Sequence, residues 1–241
     1  MRPLVVIFNF PSPTKRGNKM TSKKEILRVK GEIKKTYSKL SKIYAALEGI
    51  FEKKLRERGL EYLDIQKGET VLEIGCGTGY ALVEIAKSVG EIGKAYAIDI
   101  TPEMVELARQ RLERKRLTKK VKLSESDARN MPYRDNMFDA VYMAAVLELF
   151  DTPDIPKVLK EIKRVLKSDG RLGVISIPKE GYENSKVLGL YEWAHRKFPK
   201  YASCRPIYVE DSLREAGYNI IRTHEMLLAK IFPMKIVIAE P

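Results

Sequence analysis

A doubly wound α/β domain with a mostly parallel sheet is the fold class this sequence predicts, on three observations. Short β-rich runs alternate with helical stretches of ten or more residues, the pattern of crossover units. A glycine-rich turn, Gly75-Cys-Gly-Thr-Gly79, follows the first run and opens a helix. Acidic residues recur at the C-terminal end of the second run, Asp99, and just beyond the third, Asp127. The chain of 241 residues has room for one substantial core and not for two enzyme domains.

The elements follow in order. Residues 24–58 lack proline and read as two helices, with Ile26, Val29, Ile33, Tyr37 and Leu40 spaced at threes and fours. The second of these, around Ile43, Leu47, Ile50, Phe51 and Leu55, is expected to end near Gly59. Thr70–Ile74 is the first strand and Tyr80–Val89 the helix that follows the glycines. Lys94–Ile100 is the second strand, and Thr101 stands as N-cap ahead of Pro102 for a helix to Leu117. Val121–Glu125 and Phe138–Ala144 are the third and fourth strands. Asp154 is placed to cap a helix through Leu166, and Ser168-Asp-Gly170 to turn into a fifth strand, Arg171–Ile177. A substrate-side insertion at about 179–208 precedes a helix near Val209–Ala216 and two strands, Tyr218–Met226 and Lys235–Glu240, expected as an antiparallel edge pair.

Composition narrows the function classes. Two cysteines and two histidines exclude a disulfide framework and leave no ligand set for a resident transition metal, so none is expected. The opening apolar run within Met1–Phe10 is too short to span a bilayer. A cytoplasmic protein is therefore expected, with residues 1–19 read as an extension outside the core, 20–60 as a basic helical cap, and 61–241 as the main domain. Residues 1–60 hold 16 Lys or Arg and 5 Asp or Glu, a net of +11 out of +13. That asymmetry draws phosphate-rich or anionic partners, either RNA or the inner face of a membrane.

The glycines carry the first chemical signal. Gly75, Gly77 and Gly79 let the backbone turn tightly and approach a ligand where side chains would collide. Their spacing is G-x-G-x-G, neither the dinucleotide fingerprint nor a phosphate-cradling loop with lysine. Asp99, 20 residues after Gly79 at the end of the next strand, can accept both hydroxyls of a ribose. Asp127 can accept an exocyclic amine while the Ala128 amide donates to a ring nitrogen. Ile100, and Met104 or Met131, can sandwich an adenine. Glu73 inside the first strand is unusual for a buried position and needs hydrogen-bond partners, from loop amides or a ligand ammonium.

These stretches resemble the class I S-adenosylmethionine-dependent methyltransferase superfamily. Val71-Leu-Glu-Ile-Gly-Cys-Gly-Thr-Gly79 is similar to its first motif and Ala97-Ile-Asp-Ile-Thr-Pro-Glu-Met104 to its acidic-loop motif. Asp127–Tyr133, Phe138–Phe150 and Val165–Leu172 resemble three further motifs, and the likeness covers about residues 35–178. It implies a seven-stranded sheet with added N-terminal helices and S-adenosylmethionine as cofactor. Glu73 and Gly75 would then lie near the methionine part, Asp99 on the ribose and Asp127 on adenine, with Cys76 and Thr78 of the loop also binding the cofactor. Ala144 and Ala145 would line the methionyl side. The closest likeness within the superfamily is the ubiquinone and menaquinone biosynthesis branch, whose upstream tyrosine pair Tyr37 and Tyr44 resemble. This chain departs from that branch at Ala45, where it usually has Asp, and at Glu148-Leu149, where it often has a histidine pair.

Methyl transfer from a sulfonium needs alignment and exclusion of water more than a nucleophilic side chain. Glu148, just after the fourth strand, is a candidate to orient or deprotonate an acceptor. Tyr80 beside the glycines and His195 in the insertion are further candidates. Tyr191 lies one helical turn before His195, and Arg205 has a planar fork suited to phosphate or carboxylate. The acceptor expected is a small organic molecule, lipid-linked or amphipathic. RNA is the main alternative; protein methylation and a non-catalytic cofactor-binding scaffold follow.

Overall fold

The computed structural model describes residues 53–197, 204–228 and 231–241. Tyr37, Tyr44 and most of the 20–60 cap lie outside the described residues. Seven strands form one sheet in the order β3-β2-β1-β4-β5-β7-β6. They span Thr70–Ile74 (β1), Lys94–Asp99 (β2), Val121–Glu125 (β3), Phe138–Ala144 (β4), Leu166–Ser176 (β5), Asn219–Leu228 (β6) and Phe232–Glu240 (β7). The first five are parallel, and β7 pairs antiparallel with both β5 and β6. The predicted antiparallel pair is thus present, but only β6 is an edge. β7 is inserted inside it, along residues 172–176 of β5.

Alternation along each strand divides the core in two. Leu72, Ile74, Val141 and Met143 face the cluster covered by helices α4 (Ile155–Val165) and α6 (Val209–Glu215). Val71, Ala97, Ala140 and Tyr142 face the opposite cluster, where α1 (Lys53–Leu63), α2 (Tyr80–Ser88) and α3 (Pro102–Arg114) pack. In α4 the apolar residues Ile155, Val158, Leu159, Ile162 and Val165 recur at helical spacing, and all are buried. Each such side chain contributes about 1.5–3 kcal/mol of burial.

Three local expectations are corrected. α1 does not stop near Gly59 but continues to Leu63. Gly59 is where the helix touches the sheet, since a Cβ there would lie 2.7 Å from Ile175 Cδ1 and 3.1 Å from the Tyr142 hydroxyl. Asp154 holds the N-cap position of α4 without a capping bond. Its carboxylate instead accepts from Arg129 at 2.8 Å and Lys157 at 2.9 Å. The segment Ser168–Gly170 belongs to β5, with an irregular register opposite Phe138–Ala140. In the insertion, α5 (Lys186–Lys197) lies on the α1 side, its Leu188 buried among Ile177, Met234 and Ile236.

Candidate active site

In an open α/β sheet, ligands bind outside the strand C-termini where strand order reverses. Here that point lies between β1 and β4, which are neighbours although they are not consecutive. The glycine loop leaves β1 at this crevice. Gly75, Gly77 and Gly79 have φ of 66°, 51° and 79°, a left-handed region that costs other residues strain. Gly75 is also held by contact: a Cβ would sit 2.4 Å from Val146 Cγ2, beyond the end of β4. At Gly79 it would lie 3.1 Å from the Ala108 Cα, where α2 meets α3.

Asp99 fixes this loop. One carboxylate oxygen accepts from the Gly77 amide at 2.9 Å and the other from the Thr101 amide at 2.8 Å. Burial pushes its pKa up, opposed by those amides, chiefly that of Thr101. Each carboxylate oxygen has a second lone pair, so acceptor capacity remains for hydroxyls. Ile100, the next residue, is 53% exposed, whereas Met104 and Met131 are in the core. Ile100 thus offers an open apolar face at this mouth, with the two methionines packed beneath the surface. Cys76, Thr78 and Ala128 have buried side chains, which leaves their backbone groups as what they can present at this crevice.

Asp127 is engaged in a way its position did not foretell. Arg129 grips it bidentately, Nη2 to Oδ2 at 2.5 Å and Nε to Oδ1 at 3.0 Å, and its backbone amide adds a bond at 2.9 Å. Arg129 then reaches Asp154, tying the loop after β3 to the start of α4. The two carboxylates push the Arg129 pKa up, and that of Asp154 is lowered to about 2 by Lys157 and Arg129.

Beyond the end of β4, Glu148 is fully buried in a 3-10 turn, Leu147–Leu149. Its Oε1 accepts from the Ile177 amide at 3.3 Å, joining the ends of β4 and β5. Ala144 is half-buried, and Ala145 has φ 54° with its amide donating to Ile175. A left-handed residue other than glycine marks a strained turn held by its surroundings. Glu73 is buried on β1, in register with Tyr142 of β4. Tyr80 has arginines close to its ring: Arg111 Cζ is 3.2 Å from the centroid and Arg56 Cζ 5.1 Å. Arg111 also reaches Thr78 Oγ1 at 3.4 Å. The sequence marks Arg56 only as a base near the end of its helix and gives no motif that marks Arg111.

The remaining candidates sit on the insertion side. Tyr191 and His195 lie one turn apart on α5, with the Tyr191 ring edge-on to Phe232 at 5.2 Å. Arg205 donates to the Phe150 carbonyl at 2.7 Å, so its guanidinium braces the loop after β4. A separate groove of about 580 Å³ runs along the open edge of β3 between Arg109 and Tyr133. Its walls include none of the residues at the β1–β4 crevice.

A family model described as a methyltransferase domain matches residues 71–170, the span from β1 into β5. The solved structure of a SAM-dependent methyltransferase from Aquifex aeolicus is 29% identical with a TM-score of 0.64, covering 83% of this chain and 97% of that one. Residues 71–170 thus carry a methyltransferase domain, and the chain is similar to class I S-adenosylmethionine-dependent methyltransferases. Among curated relatives of this methyltransferase, a demethylmenaquinone methyltransferase from Lactobacillus johnsonii is 33% identical over 157 residues, 65% of this chain and 62% of the relative. One from Bacillus licheniformis is 26% identical across 80% of this chain and 90% of its own length. The chain spans 62% of the length of the Lactobacillus johnsonii relative, less than two thirds. S-adenosylmethionine is the cofactor of the family, and the glycine loop, Asp99 and the exposed Ile100 supply the backbone, acceptor and apolar groups it needs.

Proposed function

We propose that this methyltransferase transfers a methyl group to a small organic acceptor of the quinol type carrying an apolar tail. The observation that carries the cofactor half is the Asp99–Gly77 bond, which presents a locked glycine loop at the strand crossover. The acceptor half is supported by the relatives named as demethylmenaquinone methyltransferases. When bound, S-adenosylmethionine supplies an activated methyl on a sulfonium leaving group.

The chain's own residues do the positioning. Asp99 takes the ribose hydroxyls on the lone pairs its amide donors leave open. Asp127, shared with Arg129, and the Ala128 amide read the adenine edge, with Ile100 against the ring. Glu73, Gly75, Cys76, Ala144 and Ala145 surround the methionine part. Glu148 is a positioning residue: its bond to the Ile177 amide holds together the strand ends that frame the acceptor. Tyr80 is kept beside the loop by Arg56 and Arg111, while Tyr191 and His195 on α5 line the acceptor's path and Arg205 braces it. Alignment and exclusion of water then favour direct displacement.

The test is incubation of the full chain with radiolabelled methyl donor, a demethylated quinol, and purified RNA and protein fractions. Label in the quinol is expected. Label in RNA alone would replace this reading with the RNA alternative, to which the basic residues 1–60 are suited. That same basic segment favours peripheral contact with an anionic membrane at the inner face. No helix among the described residues is long and apolar enough to cross a membrane.

A further inference from the structure

Strand β3 ends the sheet. β2 pairs with one side of it, and among the described residues no strand pairs with the other. Along that outer side, alternate backbone amides and carbonyls of Val121–Glu125 point out of the sheet, the arrangement that accepts a further strand. Proline, a bulge or a covering helix would blunt such an edge. β3 has no proline and keeps an unbroken register with β2. Its one lysine, Lys122, is drawn back over the Tyr96 ring of β2, 5.4 Å from the centroid.

The groove of about 580 Å³ follows this edge. Residues 121–124 line it together with two flanks, Arg109 and Leu112 of α3 on one side and Pro132–Arg134 on the other. Alternation gives the flanks different chemistry. Val121 and Leu123 pack toward the core on the α3 side, where Leu112 is buried. Lys122 turns to the opposite face, and exposed Arg134 stands on the flank there. Arg109, also exposed, lies 3.5 Å from Glu106. Three bases and no acid line the groove. The opposite edge differs: the groove beside β6 mixes Glu210 with Arg214 and Arg222.

We propose that β3 receives an extended acidic segment of a partner protein, added to the sheet as a further strand. Main-chain hydrogen bonds supply the pairing, and alternate side chains supply the selection. Apolar residues of the segment lie over Val121 and Leu123, and its acids meet Lys122 and Arg134. The charge rules out nearer occupants. The chain's own residues 1–52 carry 12 Lys or Arg against 4 Asp or Glu, and a second copy would bring the same three bases to the groove. RNA would match the bases and Tyr133, but it would leave the outward amides and carbonyls and the aliphatic flank without partners.

The probe is a fluorescein-labelled seven-residue peptide alternating glutamate and valine, titrated into the full chain at about 0.15 M salt and read by anisotropy. Saturable binding is expected, with Kd below about 1 mM. Amide hydrogen exchange should slow along Val121–Glu125. A peptide with lysine in place of each glutamate is expected to bind roughly tenfold more weakly or worse. Lys122→Glu combined with Arg134→Glu should invert that preference, and binding of the lysine peptide would show that this variant is folded. Lys186→Glu, at an exposed base on α5, should leave both affinities unchanged. The groove shares no residue with the β1–β4 crevice, so saturating demethylated cofactor is not expected to displace the peptide. Absence of binding would overturn the proposal, as would displacement by the cofactor or a preference that does not invert. Exchange slowed elsewhere but not along β3 would also overturn it. Tighter binding of oligouridylate, displacing the glutamate peptide, would assign the groove to RNA instead.

Discussion

The Gly77 amide donates to Asp99 at 2.9 Å, so the residue expected to hold a ribose also holds the loop that approaches the cofactor. Binding and loop geometry are therefore coupled through one carboxylate. Its second oxygen fixes Thr101 at the start of α3, which extends the coupling to the helix behind the loop.

Asp99→Ala is expected to remove the anchors of two amides and the ribose acceptors together. Hydrogen bonds to a charged group contribute about 1.5–3 kcal/mol each, so affinity for the demethylated cofactor should fall roughly 10- to 100-fold or more. Isothermal titration calorimetry measures it. Unchanged affinity would mean that the loop orders without Asp99 and that the ribose is held elsewhere.

Gly75→Ala is expected to destabilise the fold by about 2–4 kcal/mol, combining left-handed strain with overpacking on Val146. Adding Val146→Ala should restore the packing part and leave the backbone part. Urea denaturation of the four proteins in the cycle gives the coupling, expected at roughly 0.5–3 kcal/mol. Strict additivity would show that the 2.4 Å contact has no energetic role.

Glu148→Gln is expected to lower turnover by less than tenfold, because an amide oxygen still accepts from Ile177, while Glu148→Ala lowers it much further. The informative measurement is the pH dependence of single-turnover rates. Loss of an acid-side limb in the Gln variant, with cofactor affinity and stability unchanged, would make Glu148 the proton acceptor instead of a positioning residue.

Acid sensitivity should originate partly at Asp154. Its carboxyl is held at about 2 against an ordinary 3.8, first by Lys157 and then by Arg129. A depressed acid stabilises the fold above its unfolded pKa, and that stabilisation is lost as pH falls through the folded value. Thermal stability should therefore drop between pH of about 4 and 2, and the drop should be shallower in Asp154→Asn. Equal slopes for the two proteins would show that other carboxylates govern acid unfolding.

The sequence by itself determined the strands, the glycine loop and the acids at the end of β2 and after β3. Period-2 runs, left-handed glycine demands and strand-end acids are local properties, written in neighbouring residues. The tertiary structure alone decided where β7 inserts, since pairing with β5 depends on burying its alternate side chains on both faces of a sheet that closes late in the chain. It also decided which polar groups meet. Arg129 takes Asp127, Asp154 leaves its capping post for Arg129, and Arg111 reaches Tyr80 from a different helix. Such choices follow from which partners come within about 3 Å once helices pack, and long side chains on exposed helices carry no sequence signal of their target. Glu148 shows the same limit. Its place after β4 was legible, but its burial under the end of β5 came only from the strands' shared edge.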